Sequence, residues 1–150
     1  MNMPSSERDL SNPIQVLFVS TFSEKHGAAI GESLGAEVLA GHLLGEFGKL
    51  VNVDHVDLQL DPDINKLAKC VEEKNPDILG ISLKIGAIEQ AREIMNAIRA
   101  LSLINKEKPI MVMGGAVPTF AALPLLKLFP DAIMAGGEGE STIEALVKMI

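Results

Sequence analysis

Five short apolar runs, each followed by a stretch of helical period, predict an α/β fold: a three-layer sandwich with a parallel five-stranded sheet between two layers of helices. One of the runs, Ile14 to Ser20, is almost continuously apolar and β-branched, as expected of a strand covered on both faces. A chain of 150 residues with 47% hydrophobic content suffices for one such core.

Met1 to Pro13 is rich in Ser, Asn and Pro and offers too little apolar surface to offset ordering, so residues 1–13 read as a flexible arm and residues 14–150 as one domain. Ile14 to Ser20 is the first strand. The polar loop from Thr21 to about Gly31 exceeds the usual range of about two to six residues for such units, and long loops at strand C-termini are often functional. The first helical pattern follows, with Leu34, Val38, Gly41 or His42, and Gly45 in period, flanked by Leu39, Leu43, Leu44 and Phe47, and with Gly48 as its stop.

Val51 to Val56 alternates apolar and polar residues and reads as an edge strand, with His55 on it and His42 on the preceding helix as solvated positions. Asp61-Pro62 predicts a helix start with Asp61 as N-cap, and Ile64, Leu67, Ala68 and Val71 form its buried stripe up to Asn75-Pro76. Asp77 to Leu83 is the third strand. Ile88, Ala91, Ile94, Met95, Ile98 and Leu101 trace an amphipathic helix behind it. Pro109 to Met113 is the fourth strand, and the helix after it is expected to hold Pro124 near its start, where the missing N–H costs little. Asp131 to Ala135 is the fifth strand, and Ser141-Thr142-Ile143-Glu144 predicts a capping box opening the last helix.

Strict alternation implies right-handed crossovers, and five strands favour the flavodoxin-like (Rossmann-like) order 2-1-3-4-5. The loops after Ser20, Ser82, Met113 and Ala135 then open at one edge, the C-terminal ends of the strands. Two of them are rich in glycine: Gly114-Gly115-Ala116-Val117-Pro118-Thr119 and Gly136-Gly137-Glu138-Gly139-Glu140-Ser141-Thr142. Glycine permits positive φ and removes the Cβ, so backbone there can approach a bulky ligand.

Composition narrows the ligand. A net charge of −7 and a pI near 4.9, with no cluster of Lys and Arg, argue against nucleic acid. Cys70 is the single cysteine, so disulfides and cysteine-bound clusters within the chain are excluded. No apolar run reaches the ~18 to 20 residues of a bilayer span, and a cytoplasmic protein with no membrane partner is the expectation. There is no Gly-x-x-x-x-Gly-Lys-Ser/Thr phosphate loop and no Gly-x-Gly-x-x-Gly after the first strand. A phosphoacceptor site fails too, because the first and third strands end in Ser20 and Ser82-Leu83 rather than in acids.

The glycine segments, with Asp77-Ile78-Leu79-Gly80-Ile81-Ser82, Phe129-Pro130-Asp131-Ala132-Ile133 and Leu34-Gly35-Ala36-Glu37-Val38-Leu39-Ala40, resemble the cobalamin-binding domain of cobalamin-dependent radical S-adenosylmethionine enzymes. The resemblance runs from about Ile14 to Ile150. It implies cobalamin as cofactor, as methylcobalamin or hydroxocobalamin, with the cobalt carrying a methyl group. It also implies a radical S-adenosylmethionine or methyltransferase domain or subunit as partner. The radical chemistry needs three cysteines around an iron-sulfur cluster, which this chain lacks.

The cofactor-binding residues so implied are Ser20, Thr21, His26, Ser82, Leu83, Lys84, Gly114, Gly115, Ala116, Pro118, Gly136, Gly137, Glu138 and Gly139. Ser82 would offer its hydroxyl to the nucleotide tail, Gly114 to Ala116 would let the tail run along the fourth strand, and amides of the Gly136 to Gly139 turn would donate to corrin amides or ribose hydroxyls. His26 stands alone as a metal candidate. Corrinoid methyltransferases and mutases of similar fold take a lower cobalt ligand from Asp-x-His-x-x-Gly, and Glu24-Lys25-His26-Gly27-Ala28-Ala29 departs from that motif at its first and last positions. His26 is thus either the cobalt ligand or a loop residue beneath the corrin. Two other readings stay open: a carrier subunit of a conventional methyltransferase or mutase with His26 on cobalt, and a non-enzymatic interaction or sensory domain on the same scaffold.

Overall fold

A computed structural model describes residues 11–22, 34–104 and 108–150. Its elements are β1 (Ile14–Ser20), α1 (Leu34–Phe47), β2 (Val51–Asp57), α2 (Ile64–Lys74), β3 (Ile78–Ser82), α3 (Ile88–Ile104), β4 (Ile110–Gly114), α4 (Ala116–Leu128), β5 (Ala132–Met134) and α5 (Glu140–Met149). The strands pair in parallel in the order β2-β1-β3-β4-β5, so the flavodoxin-like expectation is borne out and β2 is an edge strand.

Alternation along the strands divides the core into two layers. Leu17, Val19, Leu79, Ile81, Met111 and Met113 point to one face, where they meet Leu67 and Val71 of α2, Ile94, Met95 and Ile98 of α3, and Leu125 of α4. Val16, Phe18, Ile78 and Val112 point to the other, against Ala36 and Leu43 of α1 and Ile143, Leu146 and Val147 of α5. Register aligns Phe18 with Gly80 and Gly80 with Val112, so one row of the second face runs Phe, Gly, Val across three adjacent strands. The missing side chain at Gly80 is taken up by the ring of Phe18, whose Cδ1 and Cε1 lie 2.7 and 2.9 Å from where a Cβ would stand.

Five local expectations are corrected. The N-cap of α2 is Asp63, which accepts from Asn65 N at 2.9 Å and Lys66 N at 3.4 Å. Asp61 instead accepts from Asp63 N and from Lys66 Nζ, at 3.2 and 2.7 Å, because Pro62 holds the residue before it extended. The inward stripe of α1 is Ala36, Leu39, Ala40, Leu43 and Phe47, while Val38 and Leu44 are exposed. Apolar residues surround this helix on all sides, so its period could be read in more than one phase.

Pro124 lies inside α4 rather than at its start, and the strain appears as a kink at Ala121 (φ −131°, ψ 35°) in the turn its ring crowds. At α5 there is no capping box. Gly139 is the N-cap, Ser141 is already helical, and Glu144 turns away to bond His42 of α1 at 3.1 Å, and also Lys148. His42 is therefore a tie between helices rather than a solvated position.

Candidate functional site

Hydrogen bonds across the C-terminal edge of the sheet stitch one strand exit to the next. After β1, Thr21 is fully buried (0% exposed), and its Oγ1 donates to Ser82 O at 2.7 Å and accepts from Lys84 N at 3.1 Å. Ser20, 1% exposed, places its Oγ 2.8 Å from Nε2 of His55 on β2. Gln90 Oε1 of α3 accepts from Phe22 N at 2.6 Å and so fixes the start of the long loop. Between β3 and β4, Leu83 N donates to Gly114 O at 2.9 Å.

Gly115 then turns the chain into α4 at φ +106°. A Cβ there would stand 3.2 Å from Leu83 O and 3.8 Å from Ser82 Oγ, so only a glycine lets the β4 turn lie this close to the β3 exit. Beyond β5, Gly137 turns at φ +69° and donates its N–H to Thr119 Oγ1 at 2.9 Å, while that hydroxyl donates to Gly115 O at 2.8 Å. The Gly137 amide is thus already engaged, which leaves other amides of this turn for a ligand.

Behind the edge, a groove of about 330 Å³ enters between the sheet and the helices α1 and α5. Its floor is the row of Phe18, Gly80 and Val112, continued by Ala135. Its walls are Ala36 and Leu39 of α1 and Ile143 of α5. Its mouth is made by Ser82, Gly114 and Gly115 on one side and Gly137, Glu138, Gly139 and Glu140 on the other. The lining is predominantly apolar, with Ser82 and the two glutamates as its polar groups. At its helical flank, His42 and Glu144 hold α1 to α5, and the Glu144 carboxyl is kept below its ordinary pKa chiefly by the bond from Lys148 and then by that from His42.

Six of the residues implied by the sequence therefore share the groove: Ser82, Gly114, Gly115, Gly137, Glu138 and Gly139. Ser20 and Thr21 lie buried beneath the edge, engaged in bonds to the protein itself. Leu83 is buried and bonded to Gly114, and Lys84 is half-buried with its N–H on Thr21. Ala116 is exposed on the first turn of α4, Pro118 is buried on that helix, and Gly136 is exposed outside the groove lining. His26 lies outside the described residues. The sequence reading missed the apolar floor and walls, although Gly80 carried a signal: a glycine inside an apolar strand marks a close approach of other groups. Among the described residues no group of three or more His, Cys, Asp or Glu is placed to hold a metal ion. Nor, among them, is any helix long and apolar enough to cross a membrane.

Comparison with known proteins points to one ligand class. Residues 26–147 match the profile of the B12 binding domain family. Over 118 residues, 79% of this chain, the sequence is 28% identical to 4'-phospho-dehydrooxetanocin synthase of Priestia megaterium, and the match covers 16% of that protein. The fold is similar to that of the cobalamin-dependent S-adenosylmethionine radical enzyme OxsB with aqua-cobalamin and S-adenosylmethionine bound: TM-score 0.80, 26% identity, covering 91% of this chain and 18% of OxsB. Against the apo form of OxsB the TM-score is 0.77. The chain thus spans under a fifth of the length of these relatives. The resemblance read from the paired glycine turns is borne out.

Proposed function

This chain belongs to the B12 binding domain family, and from that premise we propose that it holds a cobalamin with the nucleotide tail in the groove between the sheet, α1 and α5. The observation that carries the reading is the glycine floor. At Gly80 the sheet lacks a side chain in the very row that floors the groove, and the space above Phe18 is apolar and open at the strand ends. A flat aromatic base at the end of a flexible tail fits such a slot, because the slot supplies apolar contact and asks for few hydrogen bonds.

The mouth suits the polar part of the tail. Gly115 leaves room beside Ser82, whose half-buried hydroxyl would donate to a phosphate oxygen or exchange a hydrogen bond in either direction with a ribose hydroxyl. Glu138 and Glu140, opposite, accept from hydroxyl and amide donors rather than from phosphate. The edge ties through Thr21 and the Leu83 to Gly114 bond hold the loops that would lie beneath the corrin ring. His26, outside the described residues, would be either a ligand to cobalt or a neighbour of the ring, on the strength of the sequence motif alone.

When bound, the cobalt supplies a methyl-carrying centre, and this chain supplies shape, orientation and cover on one side. Methyl transfer itself is assigned to a radical S-adenosylmethionine domain or partner. Two facts support placing the radical chemistry outside this chain: the relatives extend far beyond the matched region, and the single cysteine here cannot hold a three-cysteine cluster.

Equilibrium dialysis of the chain against hydroxocobalamin and methylcobalamin tests the reading. Saturable binding of one equivalent supports it, and absence of binding at tens of micromolar ligand overturns it. The absorbance spectrum of the bound form then decides the role of His26: a spectrum altered by His26→Ala assigns it to cobalt, and an indifferent spectrum makes it a loop neighbour.

A further inference from the structure

We propose that Thr119 is a positioning residue that sets the width of the groove mouth; the inference rests on the cobalamin reading above and extends it to a side chain that does not itself line the groove. The last ladder bond between β4 and β5 runs from Ala135 N to Met113 O at 2.8 Å. Past that rung the two chains part, one into α4 through Gly115 and the other into α5 through Gly136 to Gly139.

The hydroxyl of Thr119 bridges the gap. It accepts from Gly137 N at 2.9 Å and donates to Gly115 O at 2.8 Å, so one oxygen joins the two glycine turns as a short relay. Both turns are in backbone conformations that side-chain-bearing residues avoid, with φ of +69° at Gly137 and +106° at Gly115. Both also form the mouth. A glycine turn is compliant by itself, and the tie converts two compliant segments into an opening of defined width.

Thr119 is exposed, and so are both of its hydrogen bonds. If the hydroxyl is removed, water satisfies the Gly137 N–H and the Gly115 carbonyl, so the fold loses little. Exchanging water, unlike a hydroxyl fixed to α4, does not hold the two turns at one distance, so the spacing relaxes. A nucleotide tail has to pass between the turns, whereas a corrin ring resting on the strand ends does not.

The test compares hydroxocobalamin with dicyanocobinamide, which keeps the corrin ring and lacks the nucleotide tail, in the full chain by equilibrium dialysis. For Thr119→Val the Kd for hydroxocobalamin rises about three- to tenfold, the range of one net hydrogen bond, and that for cobinamide stays within about twofold. Thr119→Ser, which keeps the hydroxyl, restores hydroxocobalamin affinity. Equal losses for both ligands, no loss for hydroxocobalamin, or no rescue by serine overturns the positioning role while leaving the cobalamin reading intact. Failure of the unsubstituted chain to bind hydroxocobalamin removes both.

Discussion

Replacing Gly80 with alanine separates what the groove contributes to binding from what it contributes to folding. A Cβ at this position would meet Phe18 Cδ1 at 2.7 Å and Cε1 at 2.9 Å, whereas carbon atoms rest at ~3.5–4.0 Å, so the ring has to yield by about 1 Å. In the ligand-free protein it has somewhere to go, because the groove of about 330 Å³ lies along the same face of the sheet. The residual crowding is offset by the smaller backbone entropy that alanine loses in a strand, ~0.5–1 kcal/mol relative to glycine. Stability therefore changes by less than about 1 kcal/mol, which for a domain of this size moves Tm by no more than about 2–4 °C.

With cobalamin bound, the displaced ring and the nucleotide base compete for one slot. Overpacking of this kind costs ~1–3 kcal/mol, so the Kd for hydroxocobalamin rises about 5- to 150-fold. Thermal unfolding and dialysis on the same preparation read the two effects. The double variant Gly80→Ala/Phe18→Leu, in which the smaller side chain clears the new methyl, regains part of the lost affinity. A folded Gly80→Ala protein with unaltered Kd would refute the placement of the tail over this row. A Tm lowered by more than about 10 °C would show instead that Gly80 serves packing alone.

Gly115→Val puts a β-branched residue at φ +106° with its Cβ 3.2 Å from Leu83 O; strain of ~1–3 kcal/mol is expected, seen as a lower Tm together with weaker hydroxocobalamin binding, and a change in neither would contradict the close approach. Thr21→Val leaves the Lys84 N–H without its acceptor in a buried site, at a cost of ~1–3 kcal/mol; the urea midpoint falls with an unchanged m-value, and an unmoved midpoint would show that the edge tie carries no stability. Glu144 has a carboxyl held below its ordinary value of 4.5, first by Lys148 and then by His42. Its contribution to stability is therefore present above about pH 4.5 and is lost as pH falls through the lower, folded-state value. Acid titrations of the unsubstituted chain and Glu144→Gln should accordingly differ above that pH and converge below it. Curves that stay parallel throughout would remove the α1 to α5 tie from the account.

Much of the fold was legible in the sequence because its signals are local. Apolar runs such as Ile14 to Ser20, the stripe from Ile88 to Leu101, and the paired glycines after β4 and β5 report conformation within a few residues of themselves, and each element they predict is present. Two of the misplaced details were those where two local signals competed. Asp61 and Asp63 both qualify as a cap before α2, and the bond to Lys66 Nζ takes up the first. Glu144 could have completed a capping box, but His42 and Lys148 bind it.

What the sequence by itself determined is an alternating α/β chain whose glycine-rich turns gather at one edge, together with the family resemblance those turns carry. Tertiary structure decided which of those residues meet the groove and which serve the scaffold. Register sets Phe18 beside Gly80 and Val112 and so makes a floor from three strands distant in sequence. Packing buries Ser20 and Thr21 and engages their hydroxyls within the protein. The pairing of Gly137 with Gly115 through Thr119 appears only once β4 and β5 lie side by side. The physical reason is common to all three: periodicity and turn chemistry act within one segment, whereas a groove is the space left between segments, and its shape depends on which side chains the sheet brings into one row.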